Sequence, residues 1–272
     1  MDMKNLKTYS MFESVMELTQ EQVQWLDKCV LSRGVWELNP QTGLVDVKGG
    51  FNCSGQGLSD FKGVKFGVVW RNFNCSENRL TSLEGAPKRV DVDFHCDNNL
   101  LTSLEGAPQK VGGDFYCNIN RLNSLVGAPQ EVKGYFVCNN NNLTSLEGAP
   151  QDVDGGFYCH NNSLTSLMGA PKRVGGTFVC EMNALTSLEG APREIGGYFN
   201  CEDNPVSRDI LKTIFVKMQQ GTSYLAAVES IWSKIPQDDQ VLLYADDFKW
   251  VTPEQSKGLL ALRAYQDLRG ML

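Results

Sequence analysis

A repeat of 21 residues governs most of this chain. The triplet Gly-Ala-Pro recurs at this interval, beginning at Gly85, Gly106, Gly127, Gly148, Gly169 and Gly190. Cysteines keep the same step, at Cys75, Cys96, Cys117, Cys138, Cys159, Cys180 and Cys201, and a degenerate copy with Cys53 lies 22 residues before Cys75. A unit this short cannot bury its own apolar side chains, so successive units must stack and share one core. The repeat therefore predicts a solenoid of about eight coils.

The first part of each unit has the pattern of a β-strand. In the unit that starts at Val111, one set of alternate residues is Val111, Gly113, Phe115 and Cys117. This period of two is typical of a strand with one buried and one solvated face. We therefore predict that the phenylalanines and cysteines of all units form continuous columns inside the solenoid.

An asparagine follows each cysteine by three residues, and two leucines follow the asparagine. The asparagines are Asn78, Asn99, Asn120, Asn141, Asn162, Asn183 and Asn204. A stacked side-chain amide can hydrogen-bond backbone groups that a turning chain leaves without partners, so this column predicts a polar ladder. The leucines, such as Leu122 and Leu125, are predicted to point inside, and Gly-Ala-Pro is predicted to turn the outer wall.

The nine cysteines are predicted to be core residues rather than a disulfide framework. Side chains in register on parallel neighbours point the same way, which disfavours the torsion angles of a disulfide. The chain also has no Cys-x-x-Cys pair that would chelate zinc. Small buried hydrophobic groups account for the column.

The motif F-x-C-x-x-N-x-L-x-x-L resembles the leucine-rich-repeat pattern, over roughly residues 51–206. The segment L-T-S-L-E-G-A-P resembles bacterial effector repeats, and it is also similar to repeats of uncharacterised tailed-bacteriophage proteins. Two departures are the V-x-G-x-F segment before the cysteine and the Gly-Ala pair of the outer wall. The resemblance implies a protein-binding solenoid, phage-encoded and acting on a host or defence protein.

Both flanks carry helix signals, as a repeat array requires because its end coils would otherwise expose the core. Thr19 and Gln22 form a capping-box pattern that opens a helix to about Leu31, and residues 35–47 are predicted to form a hairpin. At the other end, Ser207 is predicted to cap a helix to about Gln220.

Further helices are predicted over residues 223–234 and 253–268. The fold class is α+β, a leucine-rich-repeat-like solenoid of parallel strands with a helical cap at each end. The predicted divisions are an N-terminal helical and hairpin cap, the solenoid, and a C-terminal helical cap or small domain, at residues 1–48, 49–206 and 207–272.

Charge and hydropathy narrow the partner classes. The formal net charge of −7 argues against nucleic acid, whose binding depends on lysine and arginine at phosphates. No apolar run reaches the ~18 residues that span a bilayer, and the first residues lack a signal-peptide pattern. We therefore expect a protein partner, basic or neutral, no membrane partner, and a cytoplasmic location, which is the host cytoplasm if a phage encodes the chain.

The outward face of the strands is the predicted partner-binding surface, because large aromatic residues recur there although packing does not require them. Its candidate residues are Asp93, His95, Asp97, Asp114, Tyr116, Tyr135, Tyr158, His160, Glu181 and Tyr198. The plain alternative is that β-strands tolerate exposed aromatic rings.

A metal site at this face is a weaker hypothesis. Asp93, His95 and Asp97 alternate along one predicted strand, and Asp114 lies beside Asp93 on the next. Residues two apart along a strand are spread by ~6.5–7 Å, whereas metal ligands usually converge. The sequence therefore predicts neither a metal nor a cofactor.

Catalysis has little support in the sequence. The chain has two histidines, His95 and His160, and three repeats separate them, or roughly 14 Å at normal strand spacing. No nucleophile, base and orienting group can be identified together, and no glycine-rich phosphate loop precedes a helix. We therefore predict a non-enzymatic binding protein. The alternatives are a structural or assembly component of a phage particle, and an enzyme whose activity resides in the C-terminal helical module.

Overall fold

The computed structural model of the chain describes residues 17–31, 34–205 and 208–231. In chain order the elements are α1 Gln20–Cys29, β1 Val35–Leu38, β2 Val45–Lys48, β3 Phe51–Asn52, β4 Phe66–Val69, β5 Phe73–Asn74, β6 Arg89–Val90, β7 Phe94–His95, β8 Lys110–Val111, β9 Phe115–Tyr116, β10 Glu131–Val132, β11 Phe136–Val137, β12 Asp152–Val153, β13 Phe157–Tyr158, β14 Arg173–Val174, β15 Phe178–Val179, β16 Glu194–Ile195, β17 Phe199–Asn200, α2 Arg208–Gln219 and α3 Tyr224–Ile231.

The strands form two sheets that run the length of a solenoid. One sheet has nine strands in the order β1-β2-β4-β6-β8-β10-β12-β14-β16, and we name it the valine sheet. The other has eight strands, β3 to β17 by odd numbers, and we name it the phenylalanine sheet. Equivalent residues of successive coils pair in parallel register, for example Phe115 with Phe136. The predicted solenoid of parallel strands with a 21-residue spacing is confirmed.

The prediction of one alternating strand in each coil is wrong in one respect. Each coil has two short strands with a bend between them. In the coil that starts at Val111, strands β8 and β9 are separated by residues 112–114. A Cβ atom on Gly112 would collide with the backbone carbonyl oxygen of Asp91 in the preceding coil. In its present conformation Gly112 therefore leaves no room for a side chain, although the adjoining coils have Asp91 and Lys133 at this position. Gly113 lies in the same bend, at a corner of the coil and not on the inner face.

Identical side chains stack along the interior, as predicted. From Phe51 to Phe199, successive phenylalanine rings of the phenylalanine sheet have centroids 5.1 to 6.0 Å apart. The repeat cysteines from Cys53 to Cys201 are fully buried, and all nine cysteines are free thiols. The paired leucines of each coil, such as Leu122 and Leu125, are also fully buried.

The predicted asparagine ladder is confirmed, and its bonds cross from coil to coil. The Nδ2 atom of Asn99 donates to the carbonyl oxygens of Cys75, Cys96 and Asp97, at 3.0, 3.2 and 3.2 Å. Its Oδ1 atom accepts from the backbone N–H of Leu80 at 3.0 Å. One amide therefore contacts four backbone groups where the chain turns away from the sheet, and its two N–H groups are shared among three carbonyl oxygens.

The residue before each ladder asparagine adopts a left-handed backbone conformation. In seven successive coils its φ angle lies between 52° and 56°. These residues are Glu77, Asn98, Ile119, Asn140, Asn161, Met182 and Asp203. Asparagine and aspartate tolerate this region better than other residues with a Cβ atom, so the turn explains the recurrence of asparagine here.

The N-terminal helix and hairpin close the first coil. The capping box is confirmed, since the Thr19 N–H donates to Gln22 Oε1 at 2.8 Å and the Gln22 N–H donates to Thr19 Oγ1 at 3.2 Å. Trp25 packs edge-on against Phe51 with ring centroids 5.3 Å apart. The predicted hairpin is present as the antiparallel pair β1 and β2.

At the other end, α2 packs against the last coil. Phe215 stacks on Phe199 with ring centroids 4.1 Å apart, and Gln219 Nε2 donates to the Pro192 carbonyl oxygen at 3.1 Å. Helices α2 and α3 fall where the sequence predicts helices. The predicted cap at Ser207 and the helix over residues 253–268 lie outside the described residues.

Candidate functional site

The candidate surface combines the outward side of the phenylalanine sheet with the bend before it and the turn after it. We name it the acidic–aromatic face. In each coil it consists of four positions: the residue before the sheet phenylalanine, the residue after it, and the residues three and four places after it. Around Phe94 these are Asp93, His95, Asp97 and Asn98.

The residue after the phenylalanine forms a half-buried column across the middle of the face. His95 and Tyr116 stack there, with ring centroids 4.6 Å apart and planes 7° apart. The Tyr116 hydroxyl donates to Asp114 Oδ2 at 3.0 Å. Burial, and then the hydrogen bond to Asp114, raise the pKa of Tyr116 to about 12. This ring is therefore a neutral phenol held on both sides.

The residue before the phenylalanine lies in the bend rather than on the strand where the sequence placed it. Asp93 Oδ1 accepts from the Asp114 N–H at 2.9 Å, and Asp114 Oδ1 accepts from the Tyr135 N–H at 2.7 Å. Asn72, which the sequence analysis missed, donates from Nδ2 to Asp93 Oδ2 at 2.9 Å. Both carboxylates thus tie the bend of one coil to the bend of the next.

Tyr135 and Tyr158 form a second aromatic pair. Their ring centroids are 5.9 Å apart and their planes meet at 66°. Tyr135 is 45% exposed, and the Tyr158 ring lies over Gly156, where an added Cβ atom would come within 2.8 Å of Cε2. Tyr198 is on the last coil and is 82% exposed. The structure therefore brings Tyr116, Tyr135 and Tyr158 onto adjoining coils and leaves Tyr198 at the end of the face.

The position three residues after the phenylalanine holds Asp97, His160 and Glu181. Burial raises the pKa of Asp97, whose Oδ1 lies 3.8 Å from His95 Nδ1, and burial lowers the pKa of His160. Glu181 Oε2 accepts from Asn200 Nδ2 at 2.6 Å. In the described part of the chain, the buried side-chain atoms without a hydrogen-bond partner are His160 Nδ1 and Asn118 Oδ1, both at this position.

The metal hypothesis for Asp93, His95 and Asp97 finds no support in the side-chain arrangement. Strand β7 contains only Phe94 and His95, so the two aspartates lie on either side of it, in the bend and in the turn. Both Asp93 oxygens already accept hydrogen bonds. Among the residues described, no three histidine, cysteine, aspartate or glutamate side chains are grouped as metal ligands.

Charge is segregated between the acidic–aromatic face and the rest of each coil. The face is contained in residues 50–55, 72–77, 93–98, 114–119, 135–140, 156–161, 177–182 and 198–203. These segments hold seven acidic residues and no lysine or arginine. The segments between them, residues 56–71, 78–92, 99–113, 120–134, 141–155, 162–176 and 183–197, hold 12 basic and ten acidic residues. Four of these acidic residues, Asp93, Asp97, Asp114 and Glu181, are among those that the sequence predicts on the outward face. The absence of lysine and arginine from the face becomes clear once its four positions are defined.

The thiols lie behind this face and have no access to it. Burial raises the pKa of the Cys96 and Cys117 thiols well above the usual value. The Cys96 Sγ atom donates to the Tyr116 carbonyl oxygen at 3.3 Å. A neutral thiol facing the core is a poor nucleophile.

Comparison with known proteins adds no family assignment. No protein-family model matches the chain, and no curated protein matches it. No helix in the described ranges is long and apolar enough to cross a membrane.

Proposed function

We propose that the protein is a non-enzymatic protein-binding module that uses the acidic–aromatic face. The observation that carries this proposal is the set of rings Tyr116, Tyr135 and Tyr158 on three adjoining coils. Each ring is partly exposed and is fixed by a contact with another side chain or with the bend. Rigid aromatic anchors contribute most strongly to protein interfaces, and a preformed surface loses little conformational freedom on binding.

The resemblance of the repeat adds a biological setting to this proposal. We propose a leucine-rich-repeat protein of bacteriophage origin that acts in the host cytoplasm on a host or defence protein. This part rests on the F-x-C-x-x-N-x-L-x-x-L and L-T-S-L-E-G-A-P motifs alone. A partner found among host proteins of a phage-infected bacterium would support it, and a partner found only in assembled particles would favour a structural component.

Replacement of the anchors tests the proposed function. The tagged chain is expressed in bacterial cells, cross-linked, and its partners are quantified by mass spectrometry. The double variant Tyr116→Ala/Tyr158→Ala is expected to lose a specific partner about tenfold, which corresponds to about 1.4 kcal/mol. Gln109→Ala/Gln151→Ala is the matched control, because both glutamines are exposed outside the face. Equal recovery of the partner by both double variants contradicts the proposal.

A further inference from the structure

We propose that the acidic–aromatic face accepts an extended, arginine-containing segment of the partner protein, with arginines at its two ends and apolar or aromatic residues between them. This inference rests on the proposed function and specifies the chemistry of its partner. It is carried by the order of charged and uncharged coils along the face.

The seven acidic residues of the face are grouped at its two ends. One group comprises Glu77, Asp93, Asp97 and Asp114, on consecutive coils, and the other comprises Glu181, Glu202 and Asp203. The two coils between them have no charged residue on the face except the titratable His160, and they present Tyr135, Val137 and Tyr158 instead. Burial lowers the pKa of His160, so this middle section is neutral at physiological pH.

Arginine suits these groups better than lysine. A guanidinium stacks on an aromatic ring and donates two parallel hydrogen bonds to a carboxylate. Asp114 lies beside both Tyr116 and Tyr135 and accepts one hydrogen bond on each oxygen. A carboxylate has about four lone-pair positions, so acceptor capacity remains for an incoming donor. The cation would also lie within reach of the tyrosine rings, where cation–π attraction adds to binding.

The spacing of the two acidic groups sets the spacing of the arginines. Neighbouring parallel strands lie ~4.8 Å apart, so the four coil steps from Asp97 to Glu181 span ~19 Å. An extended chain advances ~3.3 Å per residue, so about six residues cover this distance. The segment that fits has paired arginines at both ends of a stretch of about four residues that contains an aromatic or aliphatic side chain.

Designed peptides of a single composition test this order. The first peptide has two arginines, four residues including leucine and tyrosine, and two further arginines; the second has the same residues with all four arginines together. Fluorescence anisotropy of labelled peptides is expected to give a dissociation constant about fivefold or more lower for the first peptide. Binding of the first peptide is expected to weaken with added salt, because the ion pairs are screened. Equal affinity of the two peptides overturns the proposed arrangement.

Variants that lack carboxylate charges test where on the protein the first peptide binds. Asp97→Asn/Glu181→Gln removes one carboxylate from each group and keeps the amide oxygen as an acceptor. This variant is expected to bind the first peptide about tenfold more weakly. Glu105→Gln/Glu147→Gln is the matched control, because it removes two exposed carboxylates outside the face. Equal weakening by both variants, or no saturation of the parent at about 1 mM peptide, overturns the inference.

A third peptide separates failure of this inference from failure of the proposed function. It replaces the four arginines of the first peptide with glutamine. If it binds the parent as tightly as the first peptide and loses affinity for Tyr116→Ala/Tyr158→Ala, the arginine inference fails and the protein-binding face stands. If no peptide binds and the tyrosine variant also keeps its cellular partners, both fail.

Discussion

Ile119 occupies a backbone conformation that its own side chain disfavours. Its φ angle is 53°, and the same position in neighbouring coils holds Asn98, Asn140 and Asn161. A β-branched residue is strained in the left-handed region because its Cβ substituents crowd the following carbonyl group. The side chain is 48% exposed, so burial of its apolar surface offsets only part of this strain.

Replacing Ile119 with asparagine is therefore expected to stabilise the protein. We expect Ile119→Asn to raise the free energy of unfolding by about 1 kcal/mol, measured by urea denaturation. The reverse exchange at the equivalent position, Asn98→Ile, is expected to lower it by a similar amount. Unchanged midpoints for both variants would mean that the turn tolerates a branched side chain without strain.

Asp97 is an ionisable group that the fold disfavours in its charged form. Burial raises its pKa above the usual value near 3.8, so ionisation is easier in the unfolded chain. At low pH the Asp97 carboxyl is protonated, and its burial costs no stability. The free energy of unfolding falls as the pH rises from the usual pKa of aspartate through the raised pKa. The next two coils have Asn118 and Asn139 at this position.

Asp97→Asn is accordingly expected to stabilise the protein at pH 7 and to have little effect near pH 3. Melting temperatures of parent and variant, measured across this range, should diverge as the pH rises. Asp154→Asn is the contrasting variant, because hydrogen bonding to Arg173 lowers the pKa of Asp154. A constant gap between Asp97→Asn and the parent at all pH values would contradict the assignment.

Among the structural elements, the turns of the coils depend most directly on side-chain hydrogen bonds, which the asparagine ladder supplies. Asn141 donates to the carbonyl oxygens of Cys117 and Cys138, both at 3.1 Å, and accepts from the Leu122 N–H at 3.0 Å. Removing the amide leaves the buried Leu122 N–H without an acceptor, and such a group costs roughly 1–3 kcal/mol. The carbonyl oxygens of Cys117 and Cys138 lose one donor each but keep the amides of Asn120 and Asn162.

Asn141→Ala is expected to lower the free energy of unfolding by about 2 kcal/mol. Chemical denaturation followed by circular dichroism measures this change. The neighbouring Asn142→Ala is the control, because Asn142 is exposed and should be within about 0.5 kcal/mol of the parent. Similar losses for both variants would show that the ladder amide has no special role.

The sequence predicted the buried columns of the coil better than the bend between its two strands. A repeat of fixed length forces equivalent residues into columns, so the buried phenylalanines, cysteines, leucines and asparagines followed from spacing alone. The bend did not follow, because alternation from Val111 to Cys117 fits one long strand as well as two short ones. The structure distinguishes them by the bend at residues 112–114. Tyr135 was therefore placed on the strand face instead of at the corner.

Along the whole molecule, the buried thiols are expected to be unreactive toward alkylating reagents in the folded state. All nine cysteines are buried, and burial raises the pKa of the Cys75, Cys138 and Cys180 thiols among others. Thiolate is the reactive form, so alkylation at pH 8 should be at least about 100-fold slower in native protein than in urea. Mass spectrometry counts the modified thiols, and rapid native labelling of the repeat cysteines would contradict their burial.

The C-terminal helices are expected to keep the solenoid from associating end to end. Phe215 stacks on Phe199 of the last coil, so Phe215→Ser should lower the free energy of unfolding by about 2 kcal/mol and expose the terminal ring. Light scattering after size-exclusion chromatography should detect larger species. Val216→Ser is the control, because Val216 is 54% exposed; association by both variants to the same extent would contradict the role of Phe215.

Because neighbouring coils share one register, the solenoid can gain or lose whole coils through changes in the sequence. Because each coil presents the same internal columns to the one before and the one after, an in-frame duplication or loss of 21 residues restores the same contacts at the new junction. The face then grows or shrinks in increments of ~4.8 Å. A change in the number of coils can thus alter the length of this surface without any change to the interior.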